Sequence, residues 1–323
     1  MRAEPEPAAD GGAAGRRRDR EAGVPGAVLQ KNLVLSVDLV ANVVVAGVLT
    51  GLVYGLMALG LSVIFGVVRV VNFAHGEMMT AAMYAATVLF AALKLDPFLC
   101  ILPAAAAFFA FGYGLQAALV NRFITRPEHS QFMLLVAVAL ILSNALLMAF
   151  GPDARSVQVD YQLDSLELGG LLVDKTRLYG ALAAVAAAGA LFAFFRWSAL
   201  GKAIRACADN HLGALVVGLN VKHLYSLTFG LGAACVAVAG CAMVLLVDVT
   251  PPLGPAYTLL AFVIVIVGGL GSMGGALLGG VLIGVSEALA GLLIDPSAKS
   301  MFSFGLLILV LLFRPQGLLG RRA

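Results

Sequence analysis

The chain has 323 residues, of which 61% are apolar and only 12% charged, against about 45–50% and about 25% in a soluble domain. Its 21 Lys and Arg and 18 Asp and Glu leave a net charge of +3. The basic residues form short clusters with no continuous face, which sets nucleic-acid binding aside. Cys100, Cys207, Cys235 and Cys241 make no CxxC pair and the four histidines make no HExxH, so neither a disulfide framework nor a metal site is expected.

Residues 1–31 are rich in Ala, Gly and Pro and carry 11 charges, among them Arg16, Arg17, Arg18 and Arg20. Such a segment buries too little apolar surface to order itself, and a disordered cytoplasmic tail is expected. The apolar stretch that follows, 33–68, is far longer than the ~7–15-residue core of a secretion signal. Apolar runs then alternate with short polar punctuation: 34–68, 78–93, 98–119, 132–150, 178–195, 224–247, 257–270, 276–294 and 301–313. About 20 helical residues cross a ~30 Å hydrocarbon core, and long unalternating runs satisfy their backbones there as helices, not as a barrel. The fold class is therefore an all-α polytopic membrane bundle of about eight to ten helices, and a broken or re-entrant helix stays open. The first run is long enough for two short passes with a bend near Gly47 and Gly51. The domain reading is a tail over 1–31, a transmembrane domain over 32–316 and a cytoplasmic C-terminal tail over 317–323.

Sidedness follows from Lys and Arg in short loops. Arg122 with Arg126, Arg196 to Lys222, and Arg314 with Arg321 and Arg322 are basic, whereas the stretch 151–177 holds Asp153, Asp160, Asp164, Glu167 and Asp174 against Arg155, Lys175 and Arg177. The basic loops are expected in the cytoplasm and the acidic one outside. Both termini are expected inside, which requires an even number of passes before Arg122 and favours the divided first run and ten helices.

Three polar or glycine-rich segments carry the functional candidates. Residues 72–77 read NFAHGE between two apolar runs, with Arg69 one turn earlier. Asn72, Phe73, His75, Gly76 and Glu77 either line or gate a path through the membrane, or form an ordinary turn in which Asn72 caps a helix and Glu77 sits in its first turn. The segment 201–220, GKAIRACADNHLGALVVGLN, reads as a short surface helix turning at Gly218. Ala203, Ala206, Ala214 and Val217 would form its small-residue face, and Lys202, Arg205, Asp209 and His211 would stay wet. It suits either a docking element or a solvated helix without a partner. The third segment holds Gly268, Gly269, Gly271, Gly274, Gly275, Gly279, Gly280 and Gly284. Its GxGxxG-like spacing lacks the strand, the helix and the later acidic residue of a nucleotide fingerprint. The spacing fits close helix packing, and two half-helices meeting near mid-membrane are the alternative. Glu287 stands alone in this apolar helix as a path candidate, or reaches the outer interface near Asp295. No phosphate-binding GxxxxGK[ST] and no catalytic constellation is present, so the chain is expected to bind no cofactor and to perform no covalent chemistry.

The blocks GLVYGLMALGLSVIFGVVRVVNFAHGEMM (51–79), GKAIRACADNHLGALVVGLN (201–220), TFGLGAACVAVAG (228–240) and AFVIVIVGGLGSMGGALLGGVLIGVSEAL (261–289) together resemble the permease subunit of ABC importers for branched-chain amino acids. The resemblance runs in order over about residues 44–320, and the N-terminal extension lies outside it. It implies a bacterial inner-membrane protein that works with two cytoplasmic ABC ATPases, a paralogous second permease or a second copy of itself, and an extracytoplasmic substrate-binding protein. ATP would be used by the partner subunits. It makes 197–223 the cytoplasmic coupling loop, with Gly201, Arg205, Ala206, Asp209, Ala214 and Gly218 as coupling positions and Ala214 and Gly218 seated in an ATPase groove. Related permeases carry urea and short-chain amides. The rivals from other classes are a gradient-driven carrier and a passive channel, neither of which has reason to display 201–220 in the cytoplasm.

Overall fold

The computed structural model describes residues 37–320 apart from 95, 163, 169, 170, 296 and 298. The tail expected over 1–31 lies outside the described residues, as do the last three positions of the C-terminal tail. Among the described residues, eight helices are long and apolar enough to cross a membrane, and a ninth, Lys299–Phe313, is shorter. The protein is an all-α polytopic membrane protein, and the strands among the described residues are those of one small hairpin, β1 (Ser165–Leu168) and β2 (Leu171–Asp174).

The first apolar run forms one continuous helix, α1 (Val37–Val68), so the expected bend at Gly47 and Gly51 is absent. Its 32 residues rise about 48 Å at ~1.5 Å each, and such excess over the hydrocarbon is accommodated by tilt. One end of α1 lies beside the hairpin, where Asn42 Oδ1 accepts from the Leu172 amide at 2.9 Å. The other end lies beside the short helix α6 described below. Among the described residues three helices precede Arg122, and α1 is a single pass where a divided run was expected. Residue 37 and the short helices lie at opposite ends of the bundle.

After α1 the chain continues through α2 (His75–Leu93), α3 (Ile101–Leu115, prolonged by a π turn over Gln116–Val120) and α4 (Glu128–Phe150). The π turn brings Gln116 to Asn121 at 3.0 Å, and Asn121 Nδ2 donates to the Ser226 hydroxyl at 3.2 Å, locking the foot of α3 to a later helix. At the opposite end, Tyr161 donates to Asp96 at 2.5 Å, fixing the acidic loop to the α2–α3 connection. Burial and this carboxylate hold the Tyr161 phenol above its ordinary range.

Polar punctuation starts the remaining helices by capping them. Asp174 accepts from the Thr176 amide at 2.8 Å and opens α5 (Lys175–Trp197). Ser198 does so for α6 (Ala199–Asp209), Asn210 for α7 (His211–Val216) and Asn220 for α8 (Val221–Met243). Two helices joined by a tight turn follow, α9 (Gly254–Gly268) and α10 (Met273–Leu293, capped by Ser272), and α11 (Lys299–Phe313) closes the bundle. Each cap satisfies an amide that has no partner within its own helix, at about 1 kcal/mol.

The core is built around α1. Leu56, Met57, Leu59, Leu61 and Ile64 are all fully buried, so this stretch is covered on every face, as an apolar-all-round helix in the centre of a bundle must be. Its tightest neighbour is α10. A Cβ built on Gly51 would lie 2.7 Å from the Gly280 carbonyl oxygen, and one on Gly47 2.9 Å from that of Gly284. Helix axes approach this closely only where side chains are absent, the small-residue packing that the spacing 275–284 suggested. The half-helix alternative is not what the glycines build. Gly269 and Gly271 take positive φ values of 108° and 76° in the turn between two complete spans, and Gly271 packs on Gly66 near the foot of α1.

Gly280→Val is expected to force α1 and α10 apart and to lower the thermal unfolding temperature of the purified protein by more than about 5 °C, since overpacking a core costs about 1–3 kcal/mol or more. Gly114→Val, at a position where an added Cβ meets nothing within 4 Å, should leave it unchanged within about 1 °C.

Candidate functional site

At the foot of α1, Arg69 takes a left-handed φ of 58°, a conformation that costs a non-glycine residue of order 1 kcal/mol or more. It ends the helix and turns the chain back among its neighbours. The return passes through Asn72 and Phe73, and α2 then starts beside Met57, which is 11 residues, or about 16 Å at ~1.5 Å each, up α1 from Val68. The re-entrant break of this fold is therefore at 69–74 and not in the glycine-rich segment.

Non-helical backbone at this depth must be covered and satisfied by protein, and the polar residues of NFAHGE do that. Asn72 and His75 are fully buried and Glu77 is 4% exposed. Asn72 Oδ1 accepts from the Ala74 amide at 3.1 Å, closing a local turn, so it does not cap α2 as one reading expected. His75 Nε2 donates to the Met57 carbonyl at 2.9 Å, and Nδ1 has no partner. The Thr258 hydroxyl on α9 accepts from the Gly76 amide at 2.9 Å and stands 3.2 Å from Glu77 Oε2 and 3.3 Å from the Phe73 carbonyl. A Cβ on Gly76 would overlap the Gly254 carbonyl and the Thr258 amide, so only glycine lets α2 and α9 meet there. Asn72, His75, Gly76 and Glu77 are thus sealed in the bundle as a pin between α1, α2 and α9. Of the block, Phe73 alone reaches open space.

That space is a cavity of about 1540 Å³ between the foot of α1, the return segment, the start of α4 and α6. Apolar walls come from Val63, Phe65 and the edge-to-face pair Phe73 and Phe132, whose centroids are 4.6 Å apart. Arg69, Lys202, Arg205 and Asp209 border it with Glu128, His129 and Gln131 of α4. Ser62, fully buried, lines it and its hydroxyl has no hydrogen-bond partner.

Beside the cavity the short helices are arranged differently from the small-residue face expected of them. The buried side of α6 is Gly201, Ile204 and Cys207, and Ala214 of α7 is 4% exposed, turned towards its own bundle. Ala206 and Val217 are exposed, as are Lys202, Arg205, Asp209 and His211. Instead of alanines, the tip presents Leu212, Leu215, Val216 and Val217, with Val216 87% exposed. Gly218 turns the chain with φ 84°. Glu287 lies far from this end. It is half-buried and accepts from Ser303 of α11 at 2.8 Å, tying α10 to α11. Thr258, Ser62 and Phe132 went unnoticed in the sequence, where nothing distinguishes them from other residues of apolar helices.

A family profile described as "Branched-chain amino acid transport system / permease component" matches residues 43–311. The chain belongs to this permease family. The permease is 31% identical over 86% of its length to the high-affinity branched-chain amino acid transport system permease protein BraD of Pseudomonas aeruginosa, covering 94% of that relative. It is 32% identical to the corresponding LivH proteins of Salmonella typhimurium and Escherichia coli K12, over 85% of this chain and 94% of theirs. No solved structure matches the permease. The matched span holds the pin, both short helices and all of the cavity lining but Leu319, and omits residues 1–42 and 312–323.

Thr258→Val in the permease strands the buried Gly76 amide, and should destabilise the protein by about 1–3 kcal/mol. Thr258→Ser keeps the hydroxyl and should recover most of that loss in the same thermal unfolding measurement.

Proposed function

We propose that this permease is the membrane subunit of an ATP-driven importer that passes branched-chain amino acids, delivered by an extracytoplasmic binding protein, into the cytoplasm. Family membership supports the transport role. The single observation that carries the energy-coupled reading is the apolar tip of the short-helix segment. Leu212, Leu215, Val216 and Val217 stand exposed on a segment that is also rich in charge, outside any span. Side chains of this kind fit a hydrophobic groove on a partner, and the chain has no phosphate-binding loop of its own. Two ABC ATPases would supply ATP hydrolysis, docking on this tip, and a paralogous permease or a second copy would complete the pair.

Sidedness follows from charge. Arg122, Arg126, Arg196, Lys202, Arg205, Lys222 and Arg314 gather at the short-helix end, and the acidic loop with Asp153, Asp160, Asp164 and Glu167 at the other. The short-helix end is then cytoplasmic, in an inner membrane. Residue 37 then falls on the extracytoplasmic side and residue 320 on the cytoplasmic side, while the N-terminus, expected inside, lies outside the described residues. Closure of the ATPases would drive α6 and α7 against α5 and α8, switching the bundle between two packings.

Proteoliposomes holding the permease, its ATPases, second permease and binding protein should accumulate radiolabelled leucine only when ATP is enclosed. Uptake by the permease alone would overturn the reading in favour of a channel or gradient-driven carrier. Val216→Asp, at the exposed tip, should leave insertion in the membrane unchanged and reduce co-purification of the ATPases at least about tenfold, the loss of ~1.4 kcal/mol or more of docking energy.

A further inference from the structure

The cavity at the short-helix end has a composition that neither the pin nor the exposed tip explains. Its rim brings together Arg69, Lys202 and Arg205 with the carboxylates of Glu128 and Asp209, and its wall holds the Phe73–Phe132 pair. Ser62, with no exposure and no partner for its hydroxyl, lies on its lining. A buried hydroxyl without a partner is an unmet hydrogen bond inside the protein, and aromatic rings around open space are apolar surface that water covers poorly. Strain is placed here too, at the left-handed Arg69, and such strain persists where the surrounding structure enforces it.

A ligand meeting the charges and the rings bears a carboxylate for the cations, an ammonium for Glu128 and a compact apolar group for the rings. A phospholipid headgroup meets the cations and the apolar wall, but sets its phosphate against Glu128. At about 1540 Å³ the space exceeds the ~300–1,000 Å³ of a close-fitting ligand pocket. Arg69, Lys202, Arg205 and Glu128 are all exposed, so their attraction for an ion is screened by water. Both features make a weak, wet site, suited to letting a molecule go.

We propose that this cavity is an inward-facing release site for a zwitterionic amino acid with an apolar side chain, held by its carboxylate at Arg69, Lys202 and Arg205, by its ammonium at Glu128 and by its side chain against Phe73 and Phe132. The site rests on the import reading above, and deepens it by assigning where the cargo pauses before leaving.

The test uses the complete transporter in proteoliposomes, with Val71→Cys as a reporter on the return segment lining the cavity. His129→Cys, at an exposed position on the same lining, is the reporter if the first variant does not assemble. The native cysteines are buried, so the unsubstituted transporter sets the background. A small methanethiosulfonate reagent is applied on the short-helix side. Leucine at about 20 mM, well above a millimolar dissociation constant, should slow modification at least about fivefold, and glutamate at the same concentration less than about twofold. Adding Arg69→Gln should abolish the protection. An unchanged rate in leucine, with leucine uptake intact, overturns the site and leaves the import reading standing. Absent uptake by the unsubstituted transporter overturns the import reading, whatever the labelling shows. Equal protection by glutamate overturns the apolar specificity. Protection that follows phosphatidylglycerol in place of phosphatidylcholine, independent of leucine, assigns the cavity to a lipid headgroup and overturns the proposal.

Discussion

A backbone amide or carbonyl left unpaired in hydrocarbon costs several kcal/mol, and the architecture of this permease is organised around the segment 69–74, where its backbone leaves the helix at depth. Residues 69–74 survive there because the chain is enclosed by α1, α2 and α9, and because Thr258 and Asn72 supply partners for the amides of Gly76 and Ala74. Enclosure in turn requires that helices stand close. The seam of Gly47 and Gly51 against Gly280 and Gly284 holds α10 on α1, and α10 is joined to α9 by the turn at Gly269 and Gly271. Glycine packing on one side of α1 and the buried polar pin on the other are thus parts of one device. The first sets the position of α9, and the second depends on it.

This division also separates two kinds of polar residue that look alike in a hydropathy profile. His75 and Glu77 are held inside the protein by specific partners, whereas Arg69, Lys202 and Arg205 border open space. Buried polar groups of the first kind fix a unique arrangement, since each partner left without its mate carries the full cost of desolvation. Groups of the second kind keep their water and remain able to exchange partners. A chain that changes packing during its work needs both, in different places.

The membrane class, the number of spans within one or two and the family were legible in the sequence, because composition, run length and blocks such as NFAHGE and RACADN are local properties. What was not legible depends on contacts between distant residues. Thr258 lies 182 positions from Gly76, and a threonine in an apolar helix carries no mark of such a partner. The run through Gly47 and Gly51 reads equally as a bend or as a packing face, and only the opposite glycines of α10 decide between them. The turn at 269–272 has the glycine content of a broken helix, but its depth is set by the foot of α1. Ala214 illustrates the same limit at small scale. Its size suited a partner's groove, yet it faces its own bundle, and the neighbouring large residues face outward.

The caps at Ser198, Asn210 and Asn220 bear on how the short-helix segment handles a mechanical load. Each closes a helix end with a side chain from the connecting residue itself, so α5 runs into α6, and α7 into α8, with only a few connecting residues and little slack at the joints. A force on the tip at Val216 therefore divides between two stiff struts, both of which pack directly on α1. The lipid-facing α4, with Leu135, Val138 and Ala139 its only buried residues, lies off that line. The central helix bears the load, and the return segment that hangs from its foot is the first irregular piece of backbone the load meets.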